Sequence, residues 1–138
     1  MKKRSFTRLI SMVLVIMIFL TGCGNKLAEG YDKDEIKQTA EEIITDVSVR
    51  GAKTVLSERL REDYLAEYPL DDMDENVLNL MSGLGNFLAY TKETVTGKEK
   101  DGEDFAIILV TASYEKGEIL YTLTFDKEMN LVSFYAKS

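Results

Sequence analysis

Residues 105–136 run FAIILVTASY-EKG-EILYTLTF-DKEMN-LVSFYA, and this stretch decides the fold. Three runs rich in β-branched and aromatic residues are separated by Glu115-Lys116-Gly117 and by Asp126 through Asn130, both of turn composition. Upstream, Phe87 to Thr96 is a run of the same kind, divided from Phe105 by the turn-like Gly97 through Gly102. The expected strands are Phe87–Thr96, Phe105–Tyr114, Ile119–Asp126 and Leu131–Ala136. Connections this short join antiparallel neighbours, so the four form a meander. Along the third, Ile119, Tyr121, Leu123 and Phe125 alternate with Leu120, Thr122 and Thr124. Along the fourth, Val132, Phe134 and Ala136 alternate with Leu131, Ser133 and Tyr135. One face is therefore strongly apolar, and the other mixes Thr, Ser, Tyr and Leu. Phe105 to Val110 is apolar on both faces, as in a central strand.

Working back from the sheet, the period changes to that of helices. Asp32 is placed to cap a helix with Glu35 three residues on, and Ile36, Ala40, Ile43, Ile44 and Val47 form one apolar stripe. Gly51 stops it. A second pattern runs from Ala52 through Val55, Leu56, Leu60, Tyr64 and Leu65 to Tyr68, with a break expected near Ser57 and an end at Pro69. A third, shorter helix begins in Asp71-Asp72-Met73-Asp74-Glu75-Asn76 and closes at Gly83 and Gly85. Helices first and an antiparallel sheet after give an α+β class, with the N-terminal helices packed on one face of a C-terminal four-stranded meander.

Residues 1–22 differ in kind and read as a signal peptide. A basic start with Lys2, Lys3, Arg4 and Arg8 precedes Leu9 to Leu20, which carries no charge. As a helix these 12 residues reach only ~18 Å, short of a ~30 Å hydrocarbon core, so a lasting membrane span is not expected. Leu20-Thr21-Gly22-Cys23 resembles the lipobox of bacterial lipoproteins. The resemblance implies that the Cys23 sulfur receives a diacylglycerol and that cleavage leaves Cys23 as an acylated N-terminus, the palmitate-type anchor of the class. Acyl chains in pairs hold a protein on a membrane where a single chain is marginal. Residues 23–31 then read as lipidated N-terminus and tether, and 32–138 as a single domain on the extracytoplasmic side of the cell membrane.

Composition excludes much else. The chain has 138 residues, one Cys, no His and no Trp, which removes His-based triads, internal disulfides and multi-Cys metal sites. With Lys2, Lys3, Arg4 and Arg8 removed from the 17 basic residues, 13 remain against 24 acidic ones, a balance of −11. So acidic a domain does not suit nucleic acid and is repelled by anionic lipid headgroups.

Gly85-Asn86-Phe87 opening the first strand, Phe125-Asp126 at the last turn and Leu131-Val132-Ser133-Phe134 after it resemble a small bacterial domain family of unknown function. That family occurs in lipoproteins and beside α/β-hydrolase domains, and its fold is similar to the nuclear-transport-factor-2-like, or cystatin-like, cone. The resemblance spans about residues 33–138 and departs at Met129-Asn130, where a Gly is usual. It implies a curved sheet that can enclose a small molecule with its helices, or that dimerises through its outer face.

Candidate chemistry is sparse. Asp72, Asp74 and Asn76 match the opening ligands of a calcium loop, but Val77 replaces the turn Gly and Gly83 the bidentate Glu, so they read as a helix N-terminus and no metal is expected. Gly83-Leu84-Gly85 lacks the third Gly of a dinucleotide loop, and Ser82 has no His to activate it. Tyr90, Tyr114, Tyr121 and Tyr135 all fall on expected strands and are the candidate ligand-lining residues, each an apolar ring with a hydroxyl tip. Nothing in the spacing singles out one acid as a base. The chain thus reads as a non-catalytic, membrane-anchored binding module without cofactor, for a small molecule or an envelope protein. The alternatives are an enzyme using a buried carboxylate in the cone, marked by a raised pKa, and a structural homodimer joined through the outer sheet face.

Overall fold

The computed structural model describes residues 26–138. The signal segment and the lipobox Leu20, Thr21, Gly22 and Cys23 lie outside the described residues. Among the described residues four helices precede four strands: α1 (Lys33–Arg50), α2 (Ala52–Arg59), α3 (Glu62–Leu65), α4 (Leu70–Met81), β1 (Phe87–Lys100), β2 (Glu103–Tyr114), β3 (Gly117–Phe125) and β4 (Leu131–Lys137). The sheet order is β1-β2-β3-β4, every pair antiparallel, so the α+β meander is as expected. Among the described residues no helix is long and apolar enough to cross a membrane.

Asp32 caps α1 by accepting from the Asp34 and Glu35 amides at 2.9 and 3.4 Å. Gly51 ends the helix at φ 92°, a region that favours glycine. The α1 stripe Ile36, Ala40, Ile43, Ile44 and Val47 buries against Ala106, Ile108, Val110 and Ala112 of β2 and Ile119, Tyr121, Leu123 and Phe125 of β3. Val55 and Leu56 of α2 and Met73 and Val77 of α4 complete that core.

Several local expectations are corrected. The second helical pattern breaks at Leu60, not near Ser57. Leu60 is extended (φ −68°, ψ 135°) and bridges Leu131, while the Arg61 amide donates to the Leu131 carbonyl at 2.8 Å. A contact distant in sequence thus overrides helical periodicity. β1 runs on through Gly97 to Lys100, so only Asp101-Gly102 turns between β1 and β2. Val132 does not share a face with Phe134. A register shift between Thr124 and Phe125 opposite the start of β4 changes its phase, placing Leu131 in the main core and Val132 with Phe105 and Ile107 on the other face. That outer patch is packed by Tyr64 of α3.

Met129 stands where the resembled family has Gly, and it adopts φ 64°. The turn is held by the buried Asp126, whose carboxylate accepts from the Glu128 and Asn130 amides and from Asn130 Nδ2 at 2.8–3.1 Å. Arg61 balances that charge, reaching Asp126 at 3.1 Å and also Glu103 and Asp63. Its guanidinium lies over the Tyr64 ring, 4.9 Å from the centroid. Residues from the helical half of the chain, Tyr68 in the connection after α3 and Asn76 of α4, also cap the outer edge of β4. The Tyr68 hydroxyl donates to the Phe134 carbonyl and accepts from the Phe134 amide, and Asn76 Nδ2 donates to the Ala136 carbonyl at 3.0 Å.

Candidate functional site

Lys37, Glu41, Thr45 and Val49 recur every fourth residue on α1, so they lie on one face along the helix. That face runs beside the apolar stripe and meets β1. Tyr90 pairs with Ala112 and Glu93 with Val110, both helix-facing positions of β2, so Tyr90 and Glu93 also point toward α1. Register shifts between Phe87 and Ala89 and between Tyr90 and Lys92 bring both residues to that face although they are three apart.

Three of the four candidate tyrosines gather here. The Tyr90 hydroxyl donates to the Glu41 carbonyl at 3.2 Å and pairs with Thr45 Oγ1 at 2.8 Å. Since one O–H donates once, Thr45 is the donor to Tyr90. Phe87 packs on Tyr90 and Tyr114 with ring centroids 4.8 and 5.7 Å away. Tyr121 is fully buried, and its hydroxyl completes no hydrogen bond in proper geometry. The Tyr114 hydroxyl lies close enough to bias its ionisation; burial first, and then Tyr114, push the Tyr121 pKa up. Tyr135 is set apart. It pairs with Thr122 and so lies on the opposite side of the sheet from Tyr121.

A feature missed in sequence adjoins the tyrosines. Glu93 sits against Glu41, with one carboxylate oxygen buried and without a hydrogen-bond partner. Burial, a hydrogen bond shared with the Glu41 carboxyl and the charge of Glu41 push Glu93 up to about 7, with Lys37 opposing. The fourfold spacing of Lys37, Glu41 and Thr45 was visible in sequence, but the β1 register that sets Glu93 opposite them was not. Phe87 and Leu88 are 47% and 60% exposed, an apolar rim beside the buried Tyr114. Among the described residues no group of His, Cys, Asp and Glu is arranged to hold a metal ion.

The acidic cluster of α4 is spent on packing. Asp74 accepts from the Lys53 amide at 3.1 Å, serving the start of α2, and Asp71 pairs with Lys53 Nζ at 2.7 Å. The N-cap of α4 is Pro69, so Asp72 lies in the first turn and does not cap it.

A family described as "Protein of unknown function (DUF3887)" matches residues 40–134. An NMR structure of a protein from Ruminococcus gnavus ATCC 29149 has the same fold, with a TM-score of 0.71 and 28% identity over 80% of this chain and 96% of that one. No curated protein matches the chain.

Proposed function

The chain belongs to the DUF3887 family, whose function is unknown, and from its own residues we propose a lipid-anchored, extracytoplasmic binding module. Cys23 is its acylated N-terminus, preceded by the lipobox residues Leu20, Thr21 and Gly22. The ligand is a small, partly apolar molecule held beneath α1 by Tyr90, Tyr114 and Tyr121. The observation that carries this reading is the buried Tyr121 hydroxyl, which meets the Tyr114 hydroxyl without good hydrogen-bond geometry and completes no other bond. An unsatisfied buried hydroxyl costs about 1–3 kcal/mol, which a ligand acceptor would recover. The exposed side chains of Phe87 and Leu88 provide the apolar approach.

The test is native mass spectrometry of the lipidated protein released gently from membranes. A small mass lost on unfolding, and absent from Tyr121→Phe, supports the reading. A clean apo protein in every preparation refutes the small-molecule reading and shifts weight to an envelope-protein partner. Anchoring is tested separately, since Cys23→Ser should abolish lipid labelling.

A second reading is favoured by Glu93. A carboxylate held near pH 7 beside a tyrosine cluster is suited to act as a general base. A catalyst would lose turnover in Glu93→Gln while keeping its ligand, whereas a binding module would keep its whole role in that variant. A homodimer through the outer face predicts that Leu120→Glu sediments as a monomer.

A further inference from the structure

Gly97 lies within β1, where a β-branched residue would ordinarily suit the strand better. Its reason is steric. A Cβ there would collide with the Lys26 carbonyl and sit 2.8 Å from Leu27 Cα. The first described residues, part of the stretch read as a tether, are thus seated on the sheet. Leu27 and Tyr31 pack on the main core. The Tyr31 hydroxyl is placed to donate to the Asp104 and Phe125 carbonyls at 3.0 and 3.2 Å, both near the same end of the sheet. Burial, then the negative charges of Asp126, Asp104 and Glu103, push Tyr31 up to about 12, so its hydroxyl remains a donor.

Lys26 lies three positions after Cys23, and a chain that short reaches at most ~11 Å. Gly97 lies ten positions along β1 from Phe87, roughly 30 Å in a strand. The charge balance of −11 left after signal removal makes anionic headgroups repel the whole domain, so the part not held by the short link stands off them.

Resting on the anchored reading above, we propose that the β1–β2 hairpin end is the pole turned to the lipid headgroups, while Phe87, Leu88 and the tyrosine cluster face away, toward the aqueous envelope. The dock at Gly97 fixes where the chain leaves the domain, the short link keeps that point at the bilayer, and repulsion holds the far end off.

The test uses the lipidated full chain in vesicles containing anionic lipid and headgroup nitroxides. With Cys23 acylated, Glu99→Cys or Leu88→Cys supplies the one free thiol for a fluorophore. The Glu99→Cys label should be quenched about twofold or more above the Leu88→Cys label, given their separation along β1. Inserting about ten Gly and Ser residues after Gly24 should remove that contrast, because a longer flexible link no longer sets the height. Gly97→Val should do the same by unseating Lys26 and Leu27. Equal quenching without those changes, or stronger quenching at position 88, overturns the orientation. Failure of the unaltered protein to float with vesicles overturns the anchoring instead, and the orientation falls with it.

Discussion

Replacing Glu93 with Gln tests the carboxyl pair directly. Glu93 is raised in the fold from an ordinary 4.5 to about 7, so ionising it costs the folded state. The sign follows from proton counts. Below pH 4.5 both states carry the proton, and the group is neutral to stability. Between 4.5 and 7 the unfolded chain releases its proton first, so the penalty grows with pH. Above 7 both states are ionised and the penalty is constant. A shift of this size corresponds to about 3 kcal/mol if taken whole. Glu93 is partly open to solvent and shares its proton with Glu41, so solvent screening reduces the figure to about 1–2 kcal/mol. Gln keeps the shape and can donate to Glu41, as a protonated Glu would. Glu93→Gln should therefore be more stable than the parent by about 1–2 kcal/mol at pH 8, and roughly 4–16 °C higher in Tm. The advantage should vanish near pH 4. Urea titrations of residues 24–138, run at half-unit steps from pH 4 to 8.5, measure it. A difference that does not vary with pH, or a variant weaker than its parent at pH 8, would refute the shared-proton account.

Two further predictions concern the buried polar contacts. Tyr68→Phe removes the hydroxyl that both donates to and accepts from Phe134 on the edge of β4, leaving an amide and a carbonyl without that partner. It should cost about 1–3 kcal/mol in urea unfolding with its slope unchanged. Arg61→Ala strips the counter-charge from buried Asp126 and should cost about 3 kcal/mol at pH 7. Adding Asp126→Asn should recover part of that loss, a coupling that a double-mutant cycle reads.

The layout of this domain was legible because its signals are local. The α1 stripe, the Asp32 cap, the stop at Gly51 and the alternation of Ile119 to Phe125 each lie within a few neighbouring residues. What was hidden depends on partners far along the chain. Leu60 leaves its helix to meet Leu131, and Val132 changes face because Thr124 and Phe125 shift register. Gly97 read as a turn residue because glycine is common in turns; its true constraint is the backbone at Lys26, 71 positions away. The site divides the same way. Tyr90, Tyr114 and Tyr121 could be picked out as strand tyrosines, and they do converge. The Glu41–Glu93 pair could not, since two irregularities in β1 decide which side chains turn toward α1.

The sealed margin of β4 bears on how copies of this protein can associate. A sheet propagates into a fibre only when one molecule's free edge finds a different free edge on the next. Here the meander ends in β4, occupied by Arg61, Tyr68 and Asn76, and in β1, whose margin is irregular and carries Lys92, Lys98 and Lys100. Edge-to-edge contact between copies is thereby confined to β1 against β1, a two-fold pairing that closes on itself and leaves nothing to extend. High local concentration, which would drive an open-ended sheet toward polymer, would stop this one at pairs.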